Sequence, residues 1–354
     1  MGYRDIEAEE IYELEDVVLV DIRSPQEFEE FHIPGAINIP LFENEEKKLI
    51  GYIYRNEGED RAREVGEQIA RKRLDEFYSR FRELKERHKN VVVYCWRGGM
   101  RSKGMCRAMS EMGLDLLRLR GGYRAYRQFI LKDMERLLKD THFIVLTGKT
   151  GVGKTQVLRE LKREGLPVID LEDLAKDRGS VFGSVGIKKE VSQKLFDSLL
   201  YEELRETGGG LVFIEDESRR IGNIYLPEAF WKKKSEGIYV EITAPIEKRI
   251  ENILSDYTKE KGWEEEALRA VMKIKKYLGP QRLEYLLKKF REGDYAEVVR
   301  FLIEEYYDKK YRQFGEPLLS FDCEDITRCV GELRELYTRL SHEGKVQDSA
   351  LRRG

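Results

Sequence analysis

The sequence predicts an α/β protein of two units, each with a parallel sheet, the second ending in a mostly helical part. Three observations carry this. A chain of 354 residues suits two domains, each able to bury its own core. Apolar runs of strand length alternate with helical stretches in both halves. Each half also has an apolar strand that opens straight into a glycine-bearing loop and then a helix.

The elements follow in order. "VVLVDIR" (17–23) and "NVVVYC" (90–95) are runs of β-branched residues without polar alternation, as expected of strands buried on both faces. Between them Val65, Ile69, Leu74, Phe77, Phe81 and Leu84 form a helical stripe. "KGMCRAMSEMG" reads as a helix ending at Gly113, and "GGYRAYRQFILKDMERLL" (121–138) as a turn and then a helix. "HFIVLTG" (142–148) starts the second unit, with a helix from Thr155 and further strands at 166–170, 211–215 and 237–242. From 245 the pattern is mostly helical, and 341–354 is a polar tail expected to be disordered. The predicted domains are 1–139, 140–340 and that tail.

Composition bounds the function. With 37% charged residues, a mean hydropathy of −0.59 and no apolar run near the ~20 residues of a membrane helix, no membrane role is expected. The acidic start "MGYRDIEAEE" is unlike a signal or transit peptide, and four irregularly spaced cysteines suit a reducing compartment rather than a disulfide scaffold. The expected location is the cytoplasm. Cys323 and Cys329 lack metal-ligand spacing, so neither zinc nor haem is expected. The net charge of −3 hides an asymmetry: residues 1–30 hold eleven acidic and two basic side chains, residues 61–140 twenty-one basic and eleven acidic. One face can thus attract a polyanion.

Two sites carry chemistry. In "VVVYCWRGGMRS" (91–102) Cys95 follows a strand and precedes a helix. Backbone N–H groups, the helix dipole, Arg97 and Arg101 there favour a thiolate and an oxyanion beside it. Cys95 is the nucleophile candidate, cradled by Arg97, Gly98, Gly99, Arg101 and Ser102. Cys106, further into the helix, reads as a packing residue. In "GKTGVGKT" the residues Gly148, Lys149, Thr150, Gly151, Val152, Gly153, Lys154 and Thr155 satisfy the phosphate-loop pattern G-x-x-x-x-G-K-[ST] after a strand. Lys154 neutralises phosphate charge, and the Thr155 hydroxyl can reach Mg²⁺. "GLVFIEDES" (210–218) ends in Glu215, Asp216 and Glu217, candidates to orient a metal, and Arg219 and Arg220 are candidates to hold diphosphate or RNA. Any diphosphate ester fits such a loop, not only a nucleotide.

"VDIRSPQEFEEFHIPGAINIP" (20–40) resembles the N-terminal signature of rhodanese domains, whose second signature is a reactive cysteine loop matched by Cys95. Five residues separate Cys95 from Arg101. That spacing resembles the related cell-cycle phosphatases and suits a group larger than a sulfane sulfur. Four further stretches, 170–184, 215–227, 244–257 and 304–311, together with the cysteine loop, resemble the tRNA 2-selenouridine synthases along nearly the whole chain. The resemblance implies a two-step modification of a wobble 2-thiouridine: S-geranylation by geranyl diphosphate, then selenium from selenophosphate. Its partners would be tRNA, those two small molecules and the enzyme that makes selenophosphate. Cys95 would carry selenium or assist displacement of the thiol.

Arg118, Arg120, Tyr123, Arg124, Tyr126 and Arg127 form a basic-aromatic cluster suited to phosphates and an unstacked base, although a helix with tyrosines inward fits the same pattern. Two other readings stay open: a phosphatase-like or sulfurtransferase domain fused to an ATP-dependent kinase, and an RNA-binding scaffold without catalysis.

Overall fold

A computed structural model describes residues 2–176, 191–257, 262–311 and 314–351, with side chains left undescribed at 256–257, 270 and 343–351. It divides into two compact units, residues 1–133 with 194–202, and residues 134–193 with 203–354.

In the first unit, β1 (Arg4–Ile6), β2 (Val17–Asp21), β3 (Ile37–Asn38), β4 (Asn90–Tyr94) and β5 (Leu117–Leu119) form a parallel sheet in the order β1-β5-β4-β2-β3. The expected strands β2 and β4 pair centrally, Val18 opposite Val91 and Val20 opposite Val93. The stripe after residue 61 is two helices, Glu59–Arg71 and Leu74–Arg87, and Phe77 and Phe81 reach the core beside Val91, Val93, Met105 and Met109. Cys106 is wholly buried in that core, and burial pushes its thiol up to about 12.

The rhodanese-type signature builds a frame. Asp21 and Arg23 are fully buried and paired at 2.6 Å. Arg23 also donates to the Phe31 carbonyl and lies 4.4 Å from the Phe31 ring centre. Ser24, Pro25 and Glu27 start a helix as a capping box. His32 stacks on Phe28 and hydrogen-bonds its carbonyl.

In the second unit, β6 (Thr141–Thr147), β7 (Val168–Ile169), β8 (Gly210–Glu215), β11 (Ile238–Thr243) and β12 (Leu319–Asp322) form a parallel sheet ordered β12-β11-β6-β8-β7. A small antiparallel hairpin of β9 (Arg220–Ile221) and β10 (Ile224–Tyr225) stands apart from it. Beyond β11 the chain is largely helical: Ile246–Tyr257, Trp263–Lys273, Pro280–Arg291 and Tyr295–Leu302, with a wide π-type turn at Ile303–Tyr307.

Three findings differ from expectation. The units part at 133/134 rather than 139/140, and residues 194–202 join the first unit because they cover Tyr123 and Tyr126. The C-terminal helix runs Ile326–Leu351, into the stretch expected to be a disordered tail. Cys323 and Cys329 form a disulfide inside the core, where free thiols were expected. The turn between β12 and that helix brings their Cα atoms to 5.1 Å, and sequence spacing does not reveal this turn because β12 gives no strand signal. Among the described residues no helix is long and apolar enough to cross a membrane.

Candidate active sites

Cys95 sits at the C-terminal end of β4, 2% exposed, and its thiol donates to the Ser102 hydroxyl at 3.3 Å. The N–H groups of Trp96, Arg97, Gly98 and Gly99 donate to no protein acceptor among the described residues, and the helix Met100–Glu111 starts directly after them. These are features of an anion cradle. The loop's shape depends on a second glycine pair. Gly98 has φ +59°, and a β-carbon there would come within 2.6 Å of the Gly121 nitrogen; one on Gly122 would overlap the Cys95 carbonyl. Tyr123 and Arg124 donate their N–H groups to the carbonyls of Cys95 and Trp96. Only glycine allows the two backbones to lie this close.

The arginines around the thiol divide by role. Arg97 is exposed and makes no ion pair among the described residues. Arg101 is held by Glu27 at 3.2 Å, and Glu27 also takes Lys47 and the Ser24 N–H, each at 3.2 Å. Burial pushes the Glu27 carboxyl up, but Arg101, Lys47 and the Ser24 amide outweigh it and leave it below its usual range.

The basic-aromatic cluster also divides. Arg118 is buried, bonded to the Gly98 carbonyl and paired with Asp5 at 2.6 Å, so it braces the thiol loop from below. Tyr123 and Tyr126 are fully buried; the first hydroxyl meets Lys194 and Ser198, the second Glu202. Their ring faces are spent in the core, as in the alternative pattern with tyrosines inward. Arg127 pairs with Asp197 at 2.5 Å. Arg120 and Arg124 remain exposed, Arg120 beside Glu7 at 2.9 Å.

In the second unit the loop 148–155 links β6 to the helix Lys154–Arg163. The N–H groups of Thr150, Gly151, Gly153, Lys154 and Thr155 have no protein acceptor among the described residues, and Val152 N–H closes the turn onto Lys149. Lys154 folds its ammonium onto the Gly148 carbonyl at 2.7 Å. The Thr155 hydroxyl donates to Glu172, whose own N–H donates to Glu215 at 2.7 Å. Glu215 is buried at the end of β8, and its Oε2 has no hydrogen-bond partner among the described residues. Burial first, then the neighbouring carboxylates Asp170 and Glu172, push Glu215 well up. Burial, then Glu217, likewise raises Glu172 to about 8 despite Lys154.

Of the other predicted residues, Asp216 is committed to buried Lys234 at 2.8 Å. Arg219 and Arg220 lie exposed, Arg219 3.7 Å from Glu228 and Arg220 against the Gly222 carbonyl. Of the stretch 170–184, residues 177–184 lie outside the described residues.

The structure also brings in residues that had no predicted role. Arg249 donates to the Thr150 carbonyl at 2.9 Å and clasps Asp308 at 2.6 Å; Lys149 joins Asp308 at 3.4 Å. Asn252 donates to the Gly151 carbonyl, and the Tyr311 hydroxyl accepts from the Gly148 N–H. The only sequence signal for these four was their place in the stretches 244–257 and 304–311. Glu172 lay in the stretch 170–184, two residues past the end of a predicted strand.

Comparison with known proteins bears on both units. A family model described as a rhodanese-like domain matches residues 6–129, and one described as the tRNA 2-selenouridine synthase AAA domain matches residues 141–316. The protein named tRNA 2-selenouridine synthase in Pseudomonas syringae pv. syringae (strain B728a) is 30% identical over 354 residues, spanning 91% of this chain and 95% of its own. That of Marinobacter nauticus is 32% identical over 352 residues, 89% of this chain and 94% of its own. That of Sulfurovum sp. (strain NBC37-1) is 32% identical, covering 84% and 88%. Among solved structures, the N-terminal domain of a Clostridium difficile 630 protein is 40% identical, covering 36% of this chain and 98% of its own with a TM-score of 0.35. With the two family models matched in succession and relatives of that name at 30–32% identity over 84–91% of its length, the chain is a member of the tRNA 2-selenouridine synthase family.

Proposed function

We propose that the chain converts wobble-position 2-thiouridine of tRNA into 2-selenouridine in two steps, in the cytoplasm. The observation that carries this reading is the pairing, in one chain, of two strand-to-helix loops whose N–H groups are left open, one around a thiol and one beside a lysine.

In the first step the 2-thio sulfur attacks the allylic carbon of geranyl diphosphate. The C–O bond breaks and pyrophosphate leaves. Loop 148–155 and Lys154 would neutralise the charge that develops on the departing oxygens. In the second step selenium from selenophosphate displaces geranylthiol at C2, and water takes up the phosphoryl group as phosphate. Cys95, in a cradle sized for an oxyanion, would hold selenium or assist the displacement, with Arg97, Gly98, Gly99, Arg101 and Ser102 around it. Arg120 and Arg124 are the members of the basic cluster exposed for RNA phosphates.

The second site suits a divalent cation. The buried Oε2 of Glu215, which has no hydrogen-bond partner among the described residues, and the Thr155–Glu172 pair are hard oxygen donors beside the phosphate seat. Among the described residues no group of three or more acidic, His or Cys side chains forms a cage, so Mg²⁺ there would take further ligands from water and diphosphate. Such an ion supplies charge neutralisation to a leaving diphosphate.

The test uses tRNA bearing 2-thiouridine, geranyl diphosphate and Mg²⁺, with and without selenophosphate, followed by mass analysis of the nucleosides. Wild type should give the S-geranyl and then the seleno nucleoside. Lys154→Ala should lose the first product by about a hundredfold or more. Cys95→Ala should keep the first and lose the second. If wild type makes neither product, the phosphatase-kinase reading takes over.

A further inference from the structure

Exposed cations on several helices of this chain are answered by an acid three or four positions away, as in Arg61–Glu64, Arg87–Glu83 and Arg163–Glu160, each at 2.6 Å. One surface of the second unit's helical part breaks this pattern. Residues 267–283 hold five basic and no acidic side chains. Ile274 and Leu278, four positions apart, turn into the helical core with Val271 and Leu286, which leaves Lys275, Lys276 and Tyr277 at the surface. Lys273, Lys275, Lys276 and Lys310 are all exposed and make no ion pair among the described residues.

Packing draws two of these lysines onto one ring. The ammonium of Lys310 lies 3.5 Å and that of Lys276 5.0 Å from the centre of the Tyr277 ring, and Lys310 is also 4.2 Å from that of Tyr306. The two rings meet edge to face, with centres 6.0 Å apart. Tyr277 is 55% exposed, so cation–π attraction fixes these charges at the surface. Acids of the adjoining turn are already engaged. Asp308 is held by Arg249 at 2.6 Å and Lys149 at 3.4 Å, and Glu305 is shared by Arg282 at 2.9 Å and Lys309 at 2.7 Å. Like charges gathered without an acid repel one another in the free protein, and a polyanion that displaces their counter-ions offsets that cost.

The patch borders the phosphate loop. Lys310 stands in sequence between Asp308, which holds Lys149, and Tyr311, whose hydroxyl accepts from the Gly148 N–H at 3.0 Å. A transfer from a diphosphate on loop 148–155 needs the acceptor RNA on this side of the unit.

We infer that Lys273, Lys275, Lys276, Lys310 and Tyr277 form a docking surface for the phosphate backbone of tRNA. The inference rests on the tRNA-modification reading above and deepens it by giving the second unit an RNA contact of its own. RNA is favoured over an anionic lipid surface because that reading already brings RNA to the neighbouring loop.

The experiment titrates the full chain with labelled tRNA bearing 2-thiouridine at several salt concentrations. The double variant Lys276→Gln, Lys310→Gln should bind about tenfold more weakly at about 0.1 M salt, and its slope of log K against log salt should be shallower by about two, one for each lost phosphate contact. Lys162→Gln, at an exposed lysine paired with Glu203, should change neither. Tyr277→Ala should weaken binding several-fold and Tyr277→Phe should restore it, because the ring face and not the hydroxyl holds the lysines. Pyrophosphate binding and the melting temperature verify that the double variant keeps its loop and fold; if it loses either, Lys276→Gln alone decides, with a slope change of about one. Should the double variant match wild type in affinity and slope, the patch assignment is overturned and the modification reading stands. Should wild type bind no tRNA, the modification reading itself fails. Vesicles of phosphatidylserine and phosphatidylcholine form a third arm: if the double variant loses vesicle binding but keeps tRNA binding, the surface serves lipid and the RNA assignment is overturned.

Discussion

Glu172 shows how one side chain can report on the surroundings of loop 148–155. Its carboxyl is raised from an ordinary 4.5 to about 8, by burial first and then by Glu217. The folded state thus holds a proton that the unfolded chain releases above about 4.5. The associated stability is fully present below that pH and is lost as pH rises towards 8, up to about 4 kcal/mol across the window. Asp170, Glu215 and Glu217 are shifted in the same direction. Thermal unfolding of the ligand-free protein should therefore fall from pH 5 to pH 8, and Glu172→Gln should flatten the slope. A wild-type melting temperature that rises over this range would count against the buried carboxylate cluster. The motif residues Cys95, Lys154 and Thr155 were legible from local spacing alone. Glu172 was not, because its role depends on contact with Thr155, seventeen positions away.

Among the elements, the helix Ile246–Tyr257 does the most to position chemistry. Residues 249, 252 and 253 share one helical face, three to four positions apart. That face supplies a guanidinium, an amide and a methyl group to the phosphate loop. The fork of Arg249 spans a carbonyl and both oxygens of Asp308; burial pushes Asp308 up, but Arg249 and then Lys149 hold it below its usual range. A lysine cannot reproduce that fork. Arg249→Lys should weaken pyrophosphate binding by about tenfold, measured by calorimetry, while the melting temperature changes by only a few degrees. Helical periodicity identified this segment as a helix. It could not identify the face's partner, because β6 and the loop lie about a hundred residues upstream.

At the scale of the molecule, the first unit is completed by residues 194–202, from just past the middle of the chain. Lys194 and Ser198 meet the Tyr123 hydroxyl, Glu202 takes Tyr126 and Tyr12, and Asp197 takes Arg127. A fragment ending at residue 139 would take Lys194 and Ser198 from the buried Tyr123 hydroxyl and Glu202 from the buried Tyr126 hydroxyl, at a cost of roughly 1–3 kcal/mol for each group left unsatisfied. The fragment should unfold well below the intact chain in calorimetry and bind a hydrophobic dye. Fusing residues 191–206 to it through a flexible linker should restore a cooperative transition. A fragment 1–139 as stable as the whole chain would refute this account.

The sequence by itself determined the fold class, the buried central strands, the thiol loop and the phosphate loop. Each is written in consecutive residues, where β-branched runs, glycines and charge spacing constrain the backbone directly. Only the packed molecule reveals that Arg118 braces a loop, that Tyr123 and Tyr126 are core, that Cys323 meets Cys329, and that Arg249 and Asp308 support loop 148–155. The reason is physical. A side chain's partner is chosen by strand order and packing between segments tens to hundreds of residues apart, and no local pattern records that choice.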